Sequence, residues 1–153
     1  MSDLKSRAAR RVPDAATDCT CFNLRKAARA VTQFYDEALR PSGLRATQFS
    51  LLGVIDAFGT ASITDLAEEA VMDRTTLTRN LAVLEHEGLV RVEPGGDARV
   101  RQVSLTPAAH ARLAEARRHW AEAQSHMIET LGPDGVRRLL ADLTGAIGAV
   151  QAH

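Results

Sequence analysis

Apolar residues recur at intervals of three and four near both ends of the chain, and this spacing predicts long amphipathic helices. The first helix is expected over about residues 19–39. Its apolar surface covers nearly two faces, which points to a partner subunit. Thr106 and Pro107 predict the cap and first residue of another helix, which continues to Leu131. A last helix follows a Gly-Pro break, and its apolar face is formed by Val136, Leu139, Leu140, Leu143, Ile147 and Val150.

Shorter apolar patterns lie between these long helices. They predict a second helix that begins with a cap at Thr47 and ends at Gly59. A third helix is expected to begin with a cap at Ser62 or Thr64 and to end near residue 70. Ile63 is expected to be a single strand-like residue.

A fourth helix and a hairpin complete the middle of the chain. Asp73 is the predicted cap of this helix and Gly88 its end, with leucines on the inner side and threonines and arginines on the outer side. Two strands are expected over residues 89–93 and 100–105, where apolar and polar residues alternate. The helix can enter a DNA major groove while Arg99 at the hairpin tip reaches the minor groove. The expected DNA-binding residues are Arg74, Thr75, Thr76, Thr78, Arg79 and Arg99.

The predicted fold is mainly α with a small β-wing: a winged helix–turn–helix flanked by N- and C-terminal dimerisation helices. Residues 1–18 form a polar, flexible arm in this prediction. Residues 19–46 and 106–153 form the helical dimerisation region, and residues 47–105 the winged helix–turn–helix lobe that binds DNA.

Composition and charge narrow the functional classes. The chain has 153 residues, 45% of them hydrophobic and 25% charged, which is typical of a globular domain. The formal net charge is zero, so DNA binding must depend on where arginines lie rather than on total charge. No signal peptide or membrane span is expected, and the two cysteines do not form a disulfide framework. A reducing cytoplasm is the expected setting.

The order of elements resembles the MarR family of bacterial transcription regulators over about residues 19–150. The resemblance rests on Asp97-x-Arg99 followed by residues 103–106, and on residues 73–79 followed by 84–90. It implies a homodimer with interwoven terminal helices, a palindromic operator of double-stranded DNA and, in many members, a small-molecule effector. It also implies that Asp97 stabilises the wing by pairing with an arginine. A possible effector pocket would include Phe22, Phe34, Tyr35 and Trp120.

A second resemblance concerns the cysteines. Cys21 and Phe22, followed by Tyr35, are similar to the organic-hydroperoxide-sensing branch of the family, in which a cysteine is oxidised and the repressor leaves DNA. The chain departs from that branch because Arg25 and Phe49 occupy positions where tyrosines are expected. Two interpretations of Cys19 and Cys21 therefore remain: they are redox-sensing thiols, or they are inert thiols.

Other functional classes have weaker support. The chain carries no Ser-His-Asp signature, no nucleotide-binding glycine loop and no His-Glu-x-x-His, so it is not expected to be an enzyme and no cofactor is expected. A metal site is disfavoured because Cys-x-Cys lacks the spacing of structural zinc sites. His119 and His126, seven residues apart, could share a helical face, but so could two solvated histidines. The sequence therefore favours a dimeric DNA-binding regulator, most simply a repressor released by an effector. The alternatives are a redox-sensing repressor that uses Cys21 and a winged-helix protein-interaction module that does not bind DNA.

Overall fold

The computed structural model of the protein describes Asp14 and residues 17–152. Most of the arm predicted at residues 1–18 lies outside these described residues. The mainly α fold with a small β-sheet is confirmed. The helices and strands are α1 (Thr20–Leu39), a 3-10 turn (Arg40–Ser42), α2 (Ala46–Phe58), β1 (Thr60–Ser62), α3 (Ile63–Glu69), α4 (Arg74–His86), β2 (Val90–Pro94), β3 (Arg101–Leu105), α5 (Pro107–Leu131) and α6 (Pro133–Gln151).

The sheet has three antiparallel strands in the order β1-β3-β2, one strand more than the sequence predicted. Val103 in the middle of β3 pairs with Ala61 on one side and with Val92 on the other. The prediction that Ile63 is strand-like is wrong, because Ile63 is the first residue of α3. Ser62 caps that helix by accepting the backbone N–H of Asp65 at 3.1 Å, so the strand must end immediately before it.

The start of α2 also differs from the prediction. Thr47 is not the cap, because the helix already begins at Ala46. The Ala46 N–H donates to the carboxylate of Asp36 on α1 at 2.7 Å, and the Arg45 N–H donates to the side chain of Gln48 at 3.0 Å. These acceptors satisfy two of the four N–H groups that lack an intrahelical partner at the start of the helix, and neither acceptor is Thr47.

The buried core lies between the three middle helices, α2, α3 and α4, and the sheet. Inner-side leucines of α4 meet α2, α3 and the sheet, as the helical spacing predicted. The cluster also includes the end of α1 and the first turns of α5, so α5 is anchored where it leaves the sheet. The largest fully buried side chains are Leu39, Leu52, Ile55, Leu66, Leu77, Leu81, Leu84, Leu89, Leu113 and Val103.

The chain divides into two compact units, of which the first ends at Phe34 and the second begins at Tyr35. In the second unit α5 packs against α6, yet no residue of α6 is buried. In the first unit the apolar side chains of Phe22, Leu24 and Val31 are exposed. No helix among the described residues is long and apolar enough to cross a membrane.

Candidate nucleic-acid interface

Helix α4 begins at a cap that the sequence correctly predicted. The Asp73 carboxylate accepts the Thr76 N–H at 2.9 Å and the Thr76 hydroxyl at 2.6 Å. The Thr76 hydroxyl bond, followed by the Thr76 backbone bond, lowers the pKa of Asp73 below its ordinary value of 3.8. The carboxylate is therefore ionised at neutral pH, and its charge stabilises the positive end of the helix dipole.

The outer side of α4 is polar and open to solvent. Thr75, Thr78 and Arg79 lie three and four residues apart and therefore share one stripe of the helix. The opposite side consists of Leu77, Leu81 and Leu84, which are at most 2% exposed. Because the leucines fix the rotation of the helix, the polar stripe must face outward. All five predicted contact residues of the helix are exposed: Arg74, Thr75, Thr76, Thr78 and Arg79.

The wing connects β2 to β3 through a tight turn over residues 95–100. The Gly95 N–H donates to Val100 O at 2.6 Å, and the Val100 N–H donates to Asp97 O at 2.9 Å. A Cβ on Gly95 would lie 3.0 Å from the Gln102 side chain and 3.1 Å from Val100 O, so glycine suits this close approach. Arg99 is exposed at the tip of this turn.

Asp97 contributes to the wing through a backbone hydrogen bond at its tip. Its carboxylate accepts the backbone N–H of Arg99 at 3.0 Å, which closes an Asx turn at the tip. Within the described part of the chain, no arginine side chain forms an ion pair with Asp97. The pairing with an arginine that the resemblance implied stays a prediction. The Arg101 guanidinium, which the sequence did not single out, donates to Val92 O on the neighbouring strand at 3.3 Å.

One buried hydroxyl joins the end of α4 to the start of α5. Thr106 Oγ1 donates to Gly88 O at 2.7 Å and accepts the Ala109 N–H at 3.2 Å. The Thr106 N–H donates to Leu89 O at 3.1 Å. The segment that follows α4, residues 88 and 89, and the first turn of α5 therefore meet at a single residue.

Comparison with known proteins agrees with this geometry. The model of the MarR family matches residues 42–100. The solved structure of the M. tuberculosis transcriptional regulator MOSR in complex with DNA is 44% identical, with a TM-score of 0.77 over 86% of this chain and 98% of that chain. The chain belongs to the MarR family. Its winged helix–turn–helix is therefore that of a family of transcriptional regulators.

Two further likenesses are more distant. The transcriptional repressor CouR, solved bound to a 23-mer DNA duplex, is 25% identical, with a TM-score of 0.78 over 90% of this chain and 99% of that chain. The uncharacterized HTH-type transcriptional regulator YwoH of Bacillus subtilis is 28% identical over 92 residues, which is 60% of this chain and 67% of that protein.

The four aromatic residues predicted for an effector pocket belong to different units of this MarR-family chain. Phe22 and Phe34 lie in the first unit, and Tyr35 and Trp120 in the second. The Tyr35 hydroxyl donates to Gln124 at 2.7 Å, and burial raises the pKa of Tyr35, so the hydroxyl remains protonated at neutral pH. Trp120 stacks on Phe49 of α2, with ring centroids 6.3 Å apart.

The stacked rings line an open cleft of ≈ 490 Å³ between α2 and α5. Arg117 also lines it and forms a 2.6 Å ion pair with Asp56, whose other oxygen lies 3.3 Å from His110. The apolar and charge patterns of the sequence did not indicate this cluster. The spacing of His110 and Arg117, seven residues apart, places them on one face of α5 and was the available signal.

The two cysteines are free thiols in the first unit, with Cys21 exposed and Cys19 half-buried. The Phe22 N–H lies 3.5 Å from the Cys19 sulfur, which places Cys19 at the capping position of α1. Among the described residues, no group of three or more histidine, cysteine or acidic side chains could hold a metal ion.

Proposed function

We propose that the protein is a cytoplasmic, homodimeric repressor that binds a palindromic operator and leaves it when a small-molecule effector binds. The observation that carries this proposal is the polar outer side of α4, held outward by three buried leucines beside an arginine-tipped wing. In this arrangement α4 enters the major groove with Thr75, Thr78 and Arg79, and Arg99 enters the adjacent minor groove.

The related proteins support DNA as the partner. MOSR, at 44% identity, was solved in complex with DNA, and CouR was solved bound to a 23-mer duplex. Since the net charge of this chain is zero, one copy of the chain supplies little net electrostatic attraction to DNA. Two linked lobes on half-sites about 34–36 Å apart would bind much more tightly, because the second lobe binds at a high effective concentration.

The uncovered surface of α6 supports the homodimer. Its apolar residues fall on one face, although none of them is buried, and Leu140 and Val150 remain 57% and 72% exposed. Contiguous apolar surface of this kind is usually covered by a partner. A second copy of the chain, bringing the same face, is the partner that this proposal requires.

The cleft between α2 and α5 supports effector regulation. Its Trp120 and Phe49 rings suit a small aromatic molecule, and Arg117 offers a charge to a polar substituent. A ligand there would contact α2 and α5 at once and change their separation. Because α5 is joined to the end of α4 at Thr106, the distance between the two recognition helices would change with it.

The proposal is tested by fluorescence anisotropy with the DNA upstream of the protein's own gene, titrated over a range of salt concentrations. Arg99→Ala is expected to weaken binding about tenfold and to reduce the preference for A·T-rich flanks, because a minor-groove contact is lost. Arg118→Ala removes the same charge from the exposed surface of α5 and should leave affinity and salt slope unchanged. Equal effects of the two substitutions would contradict the role of Arg99.

The same titration separates a repressor released by a small molecule from a redox-sensing repressor and from a protein-interaction module. The exposed thiol of Cys21 favours redox sensing as the second candidate: a hydroperoxide would oxidise it to sulfenic acid and be reduced to the alcohol. Loss of binding in the presence of cumene hydroperoxide, but not in Cys21→Ser, would support that candidate. No binding to duplex DNA at any salt concentration would favour the protein-interaction module instead.

A further inference from the structure

The hydrogen bonds between Asp73 and Thr76 determine whether each side chain can donate a further hydrogen bond or only accept one. The Thr76 hydroxyl oxygen lies 2.6 Å from Asp73 Oδ2, and the Thr76 amide nitrogen lies 2.9 Å from Oδ1. An ionised carboxylate has no proton, so the hydroxyl must be the donor in the shorter bond. Charge-assisted bonds of this length are among the stronger ones in proteins, so the hydroxyl proton remains committed to Asp73.

The pair therefore presents only hydrogen-bond acceptors to its surroundings. The free lone pairs of the Thr76 hydroxyl and those of the Asp73 carboxylate remain available, while the one side-chain proton is already used. Both residues are exposed at the first turn of α4. A partner that approaches this end of the helix must supply the donor.

Base edges in the major groove differ in whether they present hydrogen-bond donors or acceptors. Adenine presents the N6 amino group and cytosine the N4 amino group, and both are donors. Guanine presents N7 and O6, and thymine presents O4, which are acceptors. A cluster of acceptors attracts the first two bases, whereas its lone pairs and negative charge repel the last two.

We propose that the Asp73–Thr76 pair is a specificity determinant that selects adenine or cytosine, and rejects guanine or thymine, at one base of each half-site. The proposal rests on the proposed function, in which α4 enters the major groove. For Thr76 to donate to guanine or thymine, its hydroxyl would have to leave Asp73, and the bond lost would offset the bond gained.

The test uses Asp73→Asn, which removes the charge but keeps an oxygen that can cap α4. The amide adds two N–H donors, so the pair no longer presents acceptors only. Ser62 and Asp65 form a similar pair at the start of α3, with a hydroxyl–carboxylate distance of 2.7 Å. Asp65→Asn is therefore the matched control.

Each protein is used to select duplexes from a library randomised in both half-sites, and selected duplexes are measured one by one by anisotropy. The wild type should prefer adenine or cytosine roughly tenfold at one position of each half-site. In Asp73→Asn this preference should fall below about twofold or move to guanine or thymine, with other positions unchanged. Asp65→Asn should select the same bases as the wild type.

Identical base selection by Asp73→Asn and the wild type would overturn the inference, as would a uniform loss of affinity for every duplex. Thr76→Val removes the hydroxyl but leaves the Asp73 cap, so it tests the proposed base selection if Asp73→Asn does not fold. It should weaken the same preference, and unchanged selection by it would also overturn the inference. If no protein binds any duplex at low salt, the proposed function itself fails.

Discussion

Val71 has a positive φ of 51°, and it is the one non-glycine residue with a positive φ among the described residues. It lies in the turn between α3 and α4, and its side chain is 56% exposed. A β-branched residue is costly in this conformation because Cβ crowds the following carbonyl oxygen. Little packing offsets this cost at such an exposed position, so the turn carries backbone strain.

Val71→Gly should therefore stabilise the protein. Relief of the strain, about 1–2 kcal/mol, exceeds the extra flexibility that glycine gives the unfolded chain, so a net gain of roughly 0.5–1 kcal/mol is expected. Val83→Gly, at a 52% exposed position inside α4, should instead destabilise by a few tenths of a kcal/mol. Urea unfolding measures both effects, and destabilisation by both substitutions would refute the strain at Val71.

Local capping chemistry was largely predictable at this scale. Asp73 and Thr106 cap the helices that the sequence assigned to them, because each accepts an N–H only three residues further along the chain. Thr47 was assigned wrongly, because its helix is capped by Asp36, ten residues earlier on another helix. Asp97 acts locally, since its carboxylate accepts a backbone N–H only two residues away.

At the scale of secondary-structure elements, Thr106 links two helices. Its hydroxyl connects the residue that ends α4 with the first turn of α5, and its side chain is buried. Two further links between elements are an ion pair of Asp56 with Arg117, which joins α2 to α5, and hydrogen bonds from Gln48 to Glu87, which join α2 to the end of α4. Thr106 therefore links α4 to α5, the ion pair links α2 to α5, and Gln48 links α2 to the end of α4.

Thr106→Val tests the contribution of the hydroxyl. The variant keeps the shape of the side chain but leaves Gly88 O without its donor and removes the cap of α5, so a loss of about 1–3 kcal/mol is expected. Thr106→Ser keeps both hydrogen bonds and should lose less than about 1 kcal/mol. The midpoints of urea unfolding compare them, and equal losses would mean that the methyl group, rather than the hydroxyl, matters.

At the scale of the whole molecule, the outstanding feature is the exposed apolar face of α6. Leu139, Leu140, Leu143 and Ile147 are all at least 37% exposed, which is unfavourable for a long apolar face in water. Burial of such a face contributes about 25 cal/mol for each Å² removed from water. The homodimer that we propose would bury it and would also set the distance between the two copies of α4.

Leu143→Glu should shift the dimer towards monomer at micromolar concentrations, because it places a charge in the proposed apolar interface. Operator affinity should fall with it, since each lobe would bind alone. Arg138→Glu introduces the same side chain on the opposite side of α6, and it should remain dimeric. Sedimentation velocity measures the assembly. A wild-type monomer, or a dimeric Leu143→Glu variant, would contradict the proposed interface.

The sequence by itself determined the helices, most of their caps, the winged helix–turn–helix pattern and the side of α4 that faces outward. These features follow from apolar spacing and from hydrogen bonds between residues about four positions apart, so they are visible locally. The tertiary structure alone decided that Thr60–Ser62 is a strand, since its pairing partners lie in β3. It also decided the Asp56–Arg117 pair and the Phe49–Trp120 stack. These contacts join residues more than sixty positions apart, and only the packing of α2 against α5 brings them together.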